Sequence, residues 1–350
     1  MPDLATRFEQ NPIFSPVDVP PSIPDLMVRC VLNPGVFRRD GKTCLLLRVA
    51  EDAEDSDTVV RTPVLAPNAP NGIAVLEFER ADPDLDLSDP RFIVHRGETY
   101  LSTMSHLRLA TSTDGVQFEV APKPLLLGEG AHESFGIEDC RVTEIEGRFY
   151  LTYSAVSANG VGIGMVSTED WTEFTRHGIV LPPHNKDCAP FPERIQGSYW
   201  TLHRPFDALI GGRNIWISRS PDLLHWGEHV CLARKRPDHW DCERIGAGAA
   251  PIRTDEGWLE IYHGADHDSR YCLGAMLLGP DDPTRVLARS EHPIMEPSAP
   301  YEKEGFFGNV VFCNGHIVDG DRITIYYGAS DQVVCGATML VSEILASLRR

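Results

Sequence analysis

Basic side chains are scarce in this chain: 32 Lys and Arg stand against 51 Asp and Glu, a formal charge of -19. That balance argues against nucleic acid or an anionic membrane surface as a partner, since both carry the same sign. A small neutral substrate, or one steered by a local patch of charge, fits better. No apolar run reaches the roughly 18 residues of a membrane span. The start, Met1-Pro2-Asp3-Leu4, has neither the basic nor the apolar region of a secretory signal. The nine cysteines form no Cys-x-x-Cys pair and no ladder of fixed spacings. They read as reduced thiols in a cytoplasm. Long amphipathic helices are missing too, the best candidate being Ser342 to Leu348. What is abundant is turn chemistry. Twenty-nine Gly and 27 Pro are spread along the whole chain and separate short aromatic and β-branched segments, an all-β pattern. With 350 residues, 42% of them hydrophobic, the chain can bury a full core.

One pattern recurs five times: a strand, a turn with Gly, then a strand that ends on a polar group. The copies are Asn33-Pro34-Gly35-Val36-Phe37 with Cys44 to Val49, Asp139 to Val142 with Phe149 to Ser154, Ala189 to Glu193 with Tyr199 to Arg204, Ala249 to Ile252 with Trp258 to His263, and Asn309 to Phe312 with Ile323 to Gly328. From the second copy on, the period is roughly 50 to 60 residues, the blade length of a β-propeller. The first interval is about twice that, so an insertion is expected over about 52–135, with Pro63 to Pro70 as a long loop within it. The expectation is a single domain, 1–350, folded as a five-bladed β-propeller around a central active-site pocket. A stack of sandwich hairpins is the alternative. In a propeller the ends of the inner strands line the pocket, which makes Arg48, Ser154, Arg204, His263 and Asp266 a set.

Phe135-Gly136-Ile137-Glu138-Asp139-Cys140-Arg141 places two acids and an arginine at the mouth of a strand. An enzyme can keep a proton donor there, and Asp139 is the candidate. Adjacent residues of an extended strand point to opposite faces. Glu138 is therefore expected to face away from the pocket that Asp139 enters, toward a neighbouring strand.

Several motifs, in order and along nearly the whole chain, carry a family resemblance. They include Leu45 to Val49, Gly136 to Arg141, Asn185-Lys186-Asp187, Phe191 to Ile195, Leu202 to Pro205, Ile245 to Gly248, Gly257 to Gly264 and Phe306 to Asn309. Together they resemble glycoside hydrolase family 130, the mannoside phosphorylases and β-mannosidases. The family often has Pro where Cys140 stands. The resemblance implies a five-bladed propeller and cleavage of β-mannosidic bonds with inversion. It places the general acid on Asp139, and in phosphorylase members the proton is thought to pass through a sugar hydroxyl.

Inverting cleavage then divides on the attacker. A hydrolase needs a second carboxylate to hold water; Glu193 and Glu243 are the candidates, with Asp241 and Asp266 also in the acidic inventory. A phosphorylase needs basic residues around inorganic phosphate as co-substrate, and no base. Arg48, Arg108, Arg176, Lys186, Arg204, Arg244 and His263 are available. Asn33, Glu138, Asp187, Tyr262, Asp266 and Phe307 complete the expected substrate-binding set, and Trp240, Tyr271 and Phe306 are further candidates for sugar stacking. The family resemblance implies an Arg shortly after the second blade's inner strand in phosphorylases. Ser157 to Ile163 has none, so the preferred expectation is a β-1,2-mannosidase acting on short manno-oligosaccharides. The alternatives are a mannoside phosphorylase and a non-catalytic sugar-binding propeller. No metal is expected, although His263, Asp266, His267 and Asp268 lie close together in sequence. A homo-oligomer is left open.

Overall fold

The computed structural model describes residues 3–207 and 210–349. Its framework is five antiparallel sheets of the propeller type. Blade I joins Leu26–Arg39, Lys42–Ala53, Met104–Ser112 and Glu119–Val120. Blade II joins Ile137–Ile145, Arg148–Ser157, Gly160–Thr168 and Thr175–Leu181. Blade III joins Asn185–Pro190, Tyr199–Pro205, Ile215–Ser220 and Gly227–Ala233. In blade IV the inner strand is split into Arg244–Gly246 and Ile252–Thr254, followed by Gly257–Ala265, Tyr271–Leu278 and Val286–Arg289. Blade V joins Val311–Asp319, Arg322–Ala329 and Val333–Leu340, and its fourth strand is Thr6–Arg7 from the start of the chain.

The turns follow local chemistry. Asp40-Gly41 and Glu146-Gly147 both have positive φ and join their strands through two-residue loops, the geometry that matches strand twist. Each blade is covered on both faces, so strands read as continuous apolar runs rather than alternating ones. Leu45, Leu46 and Leu47 are all fully buried. Leu45 and Leu47 pack with Tyr326 and Val334 of blade V, and Leu46 packs with Ile137 and Leu151 of blade II. Ile163 and Leu181 meet Cys188 between blades II and III. Leu202 and Ile217 meet Trp258 and Met276 between III and IV, and Ile261 and Leu273 meet Val311 and Ile325 between IV and V. Five interfaces thus close the ring.

The span expected as an insertion, 52–135, contains the two outer strands of blade I. The additional structure lies between Ala53 and Met104: a hairpin of Val59–Leu65 with Ile73–Glu79, and a small sheet of Leu85–Asp86, Phe92–His95 and Glu98–Leu101. Pro63, expected in a loop, sits in the hairpin opposite Val75. An isolated two-stranded ribbon tolerates proline because one side of each strand is an edge. The helix Val341–Ser347 lies where the C-terminal pattern points.

Chain closure depends on the first strand. Thr6 and Arg7 pair with Thr338 and Ala337. The Arg7 Nε donates to Glu302 at 2.7 Å, and that carboxylate is fully buried and also accepts from the Tyr327 hydroxyl. Removing one partner of a buried ion pair leaves the other charge uncompensated. Arg7→Ala is therefore expected to destabilise the protein by about 3 kcal/mol, read as a lowered denaturant midpoint. An unchanged midpoint would contradict this role.

Candidate active site

The inner strands of blades I, II and III share one irregularity. Pairing with the second strand slips between Leu32 and Gly35, between Glu138 and Arg141, and between Lys186 and Ala189. Within each slip one residue adopts positive φ: Asn33 at 45°, Asp139 at 52° and Asp187 at 55°. Asn and Asp tolerate this left-handed conformation better than other side chains that carry a Cβ. The slip cancels strand alternation, so consecutive side chains can turn to the same side. This corrects the expectation for Glu138. The Arg48 guanidinium holds both acids, with Nη2 donating to Glu138 Oε1 at 2.9 Å and Nη1 to Asp139 Oδ1 at 3.0 Å.

Asp139 is buried, and its Oδ1 also accepts from the Asn33 amide at 2.9 Å. Burial disfavours its charge, but Arg48, Lys186, Arg141 and the Asn33 bond outweigh that and hold the carboxyl below its usual range. Asp331, at the loop after the second strand of blade V, keeps partial solvent access and belongs to the same field. Loss of hydration and the neighbouring Asp139 and Glu138 charges push it up to about 6, against the opposing pull of Arg48.

Blade III supplies cations. Lys186 and Arg204 are direct cross-strand partners. The Lys186 ammonium lies 3.6 Å from Glu138, and Arg204 Nε lies 3.0 Å from Asp187 Oδ2. Arg204 is buried, yet its Nε and Nη1 make no hydrogen bond. Asp187 also accepts from Arg141 at 3.0 Å and sits 3.4 Å from His263 Nε2. Burial opposes its charge, but Arg204, His263 and Arg141 hold it far below the carboxylate range. Burial pulls His263 below its ordinary range, against the opposing pull of Asp187. Gly246 makes this packing feasible: a Cβ there would lie 2.2 Å from Asp187 Oδ2 and 2.5 Å from His263 Nε2.

Sequence reasoning names Arg141 as part of the motif around Asp139 but gives it no role. Arg141 is 1% exposed. From blade II its guanidinium donates to the Asp139 carbonyl, to Asp187, and to the Ala247 and Gly248 carbonyls of blade IV, all at 2.9–3.1 Å. Asp331 escapes the repeat because the fifth copy ends at Gly328, three residues short of it.

The structure thus brings Asn33, Arg48, Glu138, Asp139, Lys186, Asp187, Arg204 and His263 into one connected cluster. Other expected residues lie elsewhere. Glu193 is exposed in the hairpin turn at the opposite end of the inner strand from Lys186, about 20 Å of extended chain away. Glu243 is held by Arg213 at 3.2 Å and His267 at 3.5 Å. Arg108 alternates with Leu107, which pairs with Arg48, so its side chain takes the other face. There it is fully buried and donates to the Pro20 carbonyl and to the Ser22 hydroxyl. Tyr262 is next to His263 and likewise takes the opposite face, where it donates to Asp241 at 2.8 Å and stacks on Trp240. Asp266 lies past the strand end and accepts from the backbone of Asp268 and Arg270 in its own turn. Phe307 is 45% exposed, its N–H bonded to the Ser330 carbonyl beside Asp331. Among the described residues no group of three or more His, Cys, Asp or Glu side chains is arranged to hold a metal ion.

A family model described as beta-1,4-mannooligosaccharide phosphorylase matches residues 84–350. The chain is 44% identical over 349 residues to a β-1,2-mannobiose phosphorylase of Listeria innocua, covering 98% of each chain. It is 38% identical over 248 residues to a 1,2-β-oligomannan phosphorylase of a Thermoanaerobacter species, covering 70% of this chain and 82% of that one. The solved structure of a Listeria innocua β-1,2-mannobiose phosphorylase, in complex with β-1,2-mannobiose, aligns with a TM-score of 0.91, 43% identity and 99% coverage of both chains. A propeller that gathers two acids and an arginine at its axis, with a family match over most of its length, leads to one assignment: the chain belongs to glycoside hydrolase family 130 and is an inverting, glycoside-active enzyme of that family.

Proposed function

We propose that the protein is a β-1,2-mannobiose phosphorylase, converting β-1,2-mannobiose and inorganic phosphate into α-mannose 1-phosphate and mannose. The observation that carries this reading is the cation pair of blade III. Two like charges directly opposite on neighbouring strands repel, and Arg204, although its Nε faces Asp187, keeps its buried Nη1 without an acceptor. An oxyanion bridging Lys186 and Arg204 would relieve both penalties. This departs from the hydrolase preference drawn from Ser157 to Ile163, because blade III supplies the cations missing there. Arg176, another basic candidate, is occupied by Glu129 and Glu133. The carboxylates expected to activate water, Glu193 and Glu243, are outside the cluster. The linkage reading rests on the two relatives, both named for β-1,2 substrates, over the β-1,4 description of the family model.

In this reading a phosphate oxygen attacks the anomeric carbon from one face while the bond to the leaving oxygen breaks on the other. Asp139 carries the proton to the leaving oxygen, directly or through a sugar hydroxyl. Because Arg48, Lys186 and Arg141 keep Asp139 ionised before substrates bind, it must gain that proton as they arrive. Phosphate supplies both the proton and the negative charge that raises the acid's proton affinity. Overall, the proton of hydrogen phosphate ends on the released mannose. Asn33, Glu138 and Asp331 face the sugar hydroxyls, and Phe307 forms an apolar rim for a sugar face. His263 and Asp187 hold Arg204 in place. The nine free cysteines suit a reducing cytoplasm.

The deciding assay incubates β-1,2-mannobiose with the enzyme, with and without inorganic phosphate, and follows mannose 1-phosphate by ³¹P NMR. Phosphate-dependent product is expected; equal mannose release without phosphate would support hydrolysis instead. Asp139→Asn should lower kcat at least about 10³-fold with an unchanged thermal unfolding profile, and near-normal turnover would refute its role. Lys186→Ala should raise KM for phosphate by about tenfold or more, in line with the loss of one charge-assisted bond. A variant that raises only KM for mannobiose would move the phosphate elsewhere.

A further inference from the structure

Blade IV differs from the others in having no ladder along the middle of its inner strand. Pairing with the second strand stops at Gly246–His263 and resumes at Ile252–Leu259. The intervening backbone is nevertheless buried and functionally placed, since the Ala247 and Gly248 carbonyls accept two of the hydrogen bonds of Arg141. A buried N–H released from a ladder needs another acceptor. The Glu260 side chain provides it: Gly248 N–H donates to Glu260 Oε1 at 2.8 Å. Glu260 is 1% exposed, and its Oε2 has no partner.

A fully buried carboxylate with a single hydrogen bond is heavily penalised, and a neutral acid far less so. Burial accordingly pushes this group up to about 8, against the Gly248 bond and Arg141. The charged or titratable groups that face it are Arg141 from blade II and the Cys313 thiol from blade V. Once ionised, Glu260 would attract the Arg141 guanidinium away from the Asp139 carbonyl and Asp187.

We propose that Glu260 is a positioning residue for the reaction: by accepting from Gly248 N–H it anchors the segment whose Ala247 and Gly248 carbonyls orient Arg141, which in turn fixes the left-handed Asp139. The proposal rests on the catalytic reading given above only for its effect on turnover.

The test compares wild type with Glu260→Gln and Glu260→Leu. Gln keeps the acceptor and the shape but cannot ionise, so kcat at pH 7 should stay within about twofold. At pH 9 wild type should have lost about tenfold of its kcat through this group, and Glu260→Gln should not. Leu removes the acceptor and should lower kcat about 100-fold, with KM for mannobiose little changed. A folded-state pKa above the unfolded one means that stability falls as pH rises from about 4.5 to 8, then levels off. The Tm of Glu260→Gln should therefore gain on wild type between pH 5 and 8. Parallel Tm profiles, an unshifted alkaline limb in Glu260→Gln, full kcat in Glu260→Leu, or a Glu260→Gln that does not fold would each overturn the proposal. Mannose release is followed with and without phosphate. Failure of the phosphorylase reading then shows as phosphate independence or no turnover, while the Tm comparison still decides Glu260.

Discussion

A single buried guanidinium ties the inner ring together. Arg141 starts in blade II and spends its donors on a carboxylate of blade III and two carbonyls of blade IV, with one bond back to the Asp139 carbonyl. On the other side, Asn314 of blade V donates to the Asn33 carbonyl of blade I at 3.3 Å, and Asn33 donates to Asp139. Polar contacts therefore pass through all five blades at this cluster. In a low-dielectric interior, breaking a paired buried charge costs about 3–5 kcal/mol, so this belt favours one relative placement of the inner strands.

The belt also explains why the acid sits where it does. An inner strand with regular alternation would send Glu138 and Asp139 to opposite faces. The slip with a left-handed residue lets both reach Arg48. The same device recurs at Asn33 and Asp187, so the site is built by repeating one local distortion in three blades. Backbone strain of this kind persists only where surrounding contacts over-determine it, and Arg141 and Asn33 do so here. The frustrated part of the site is Lys186 beside Arg204: each has one carboxylate neighbour, Glu138 and Asp187, yet the two like charges stand opposite each other and the buried Arg204 Nη1 has no acceptor.

The all-β class and the propeller are legible in the repeat, through its periodicity and turn residues, and the strand-end positions of Arg48, Arg204 and His263 with it; Lys186 and Asp187 enter only through the family resemblance. Asn33 and Asp139 each stand eight residues before the turn glycine, Gly41 and Gly147. In the third copy Asp187 stands ten residues before Gly197, because the Phe191-to-Gly197 turn is longer. That offset starts the third copy at Ala189 and draws Glu193 toward the pocket in the sequence reading, when it belongs to the far turn. Arg108 and Tyr262 fail for another reason: each neighbours a position that faces Arg48's side or the axis, and parity along a strand assigns them to the opposite face. The importance of Arg141 and Glu260 cannot be read from motifs, since both act through backbone groups of a different strand or blade.

The most direct measurement is a crystal structure of the Asp139→Asn variant with β-1,2-mannobiose and phosphate both bound. The account predicts phosphate between Lys186 and Arg204, the glycosidic bond over the axis, and the new side-chain amide at position 139 on the opposite side of the anomeric carbon from the phosphate. Phosphate bound away from blade III, or a disaccharide whose glycosidic bond lies outside reach of both that amide and the adjoining sugar hydroxyl, would contradict it.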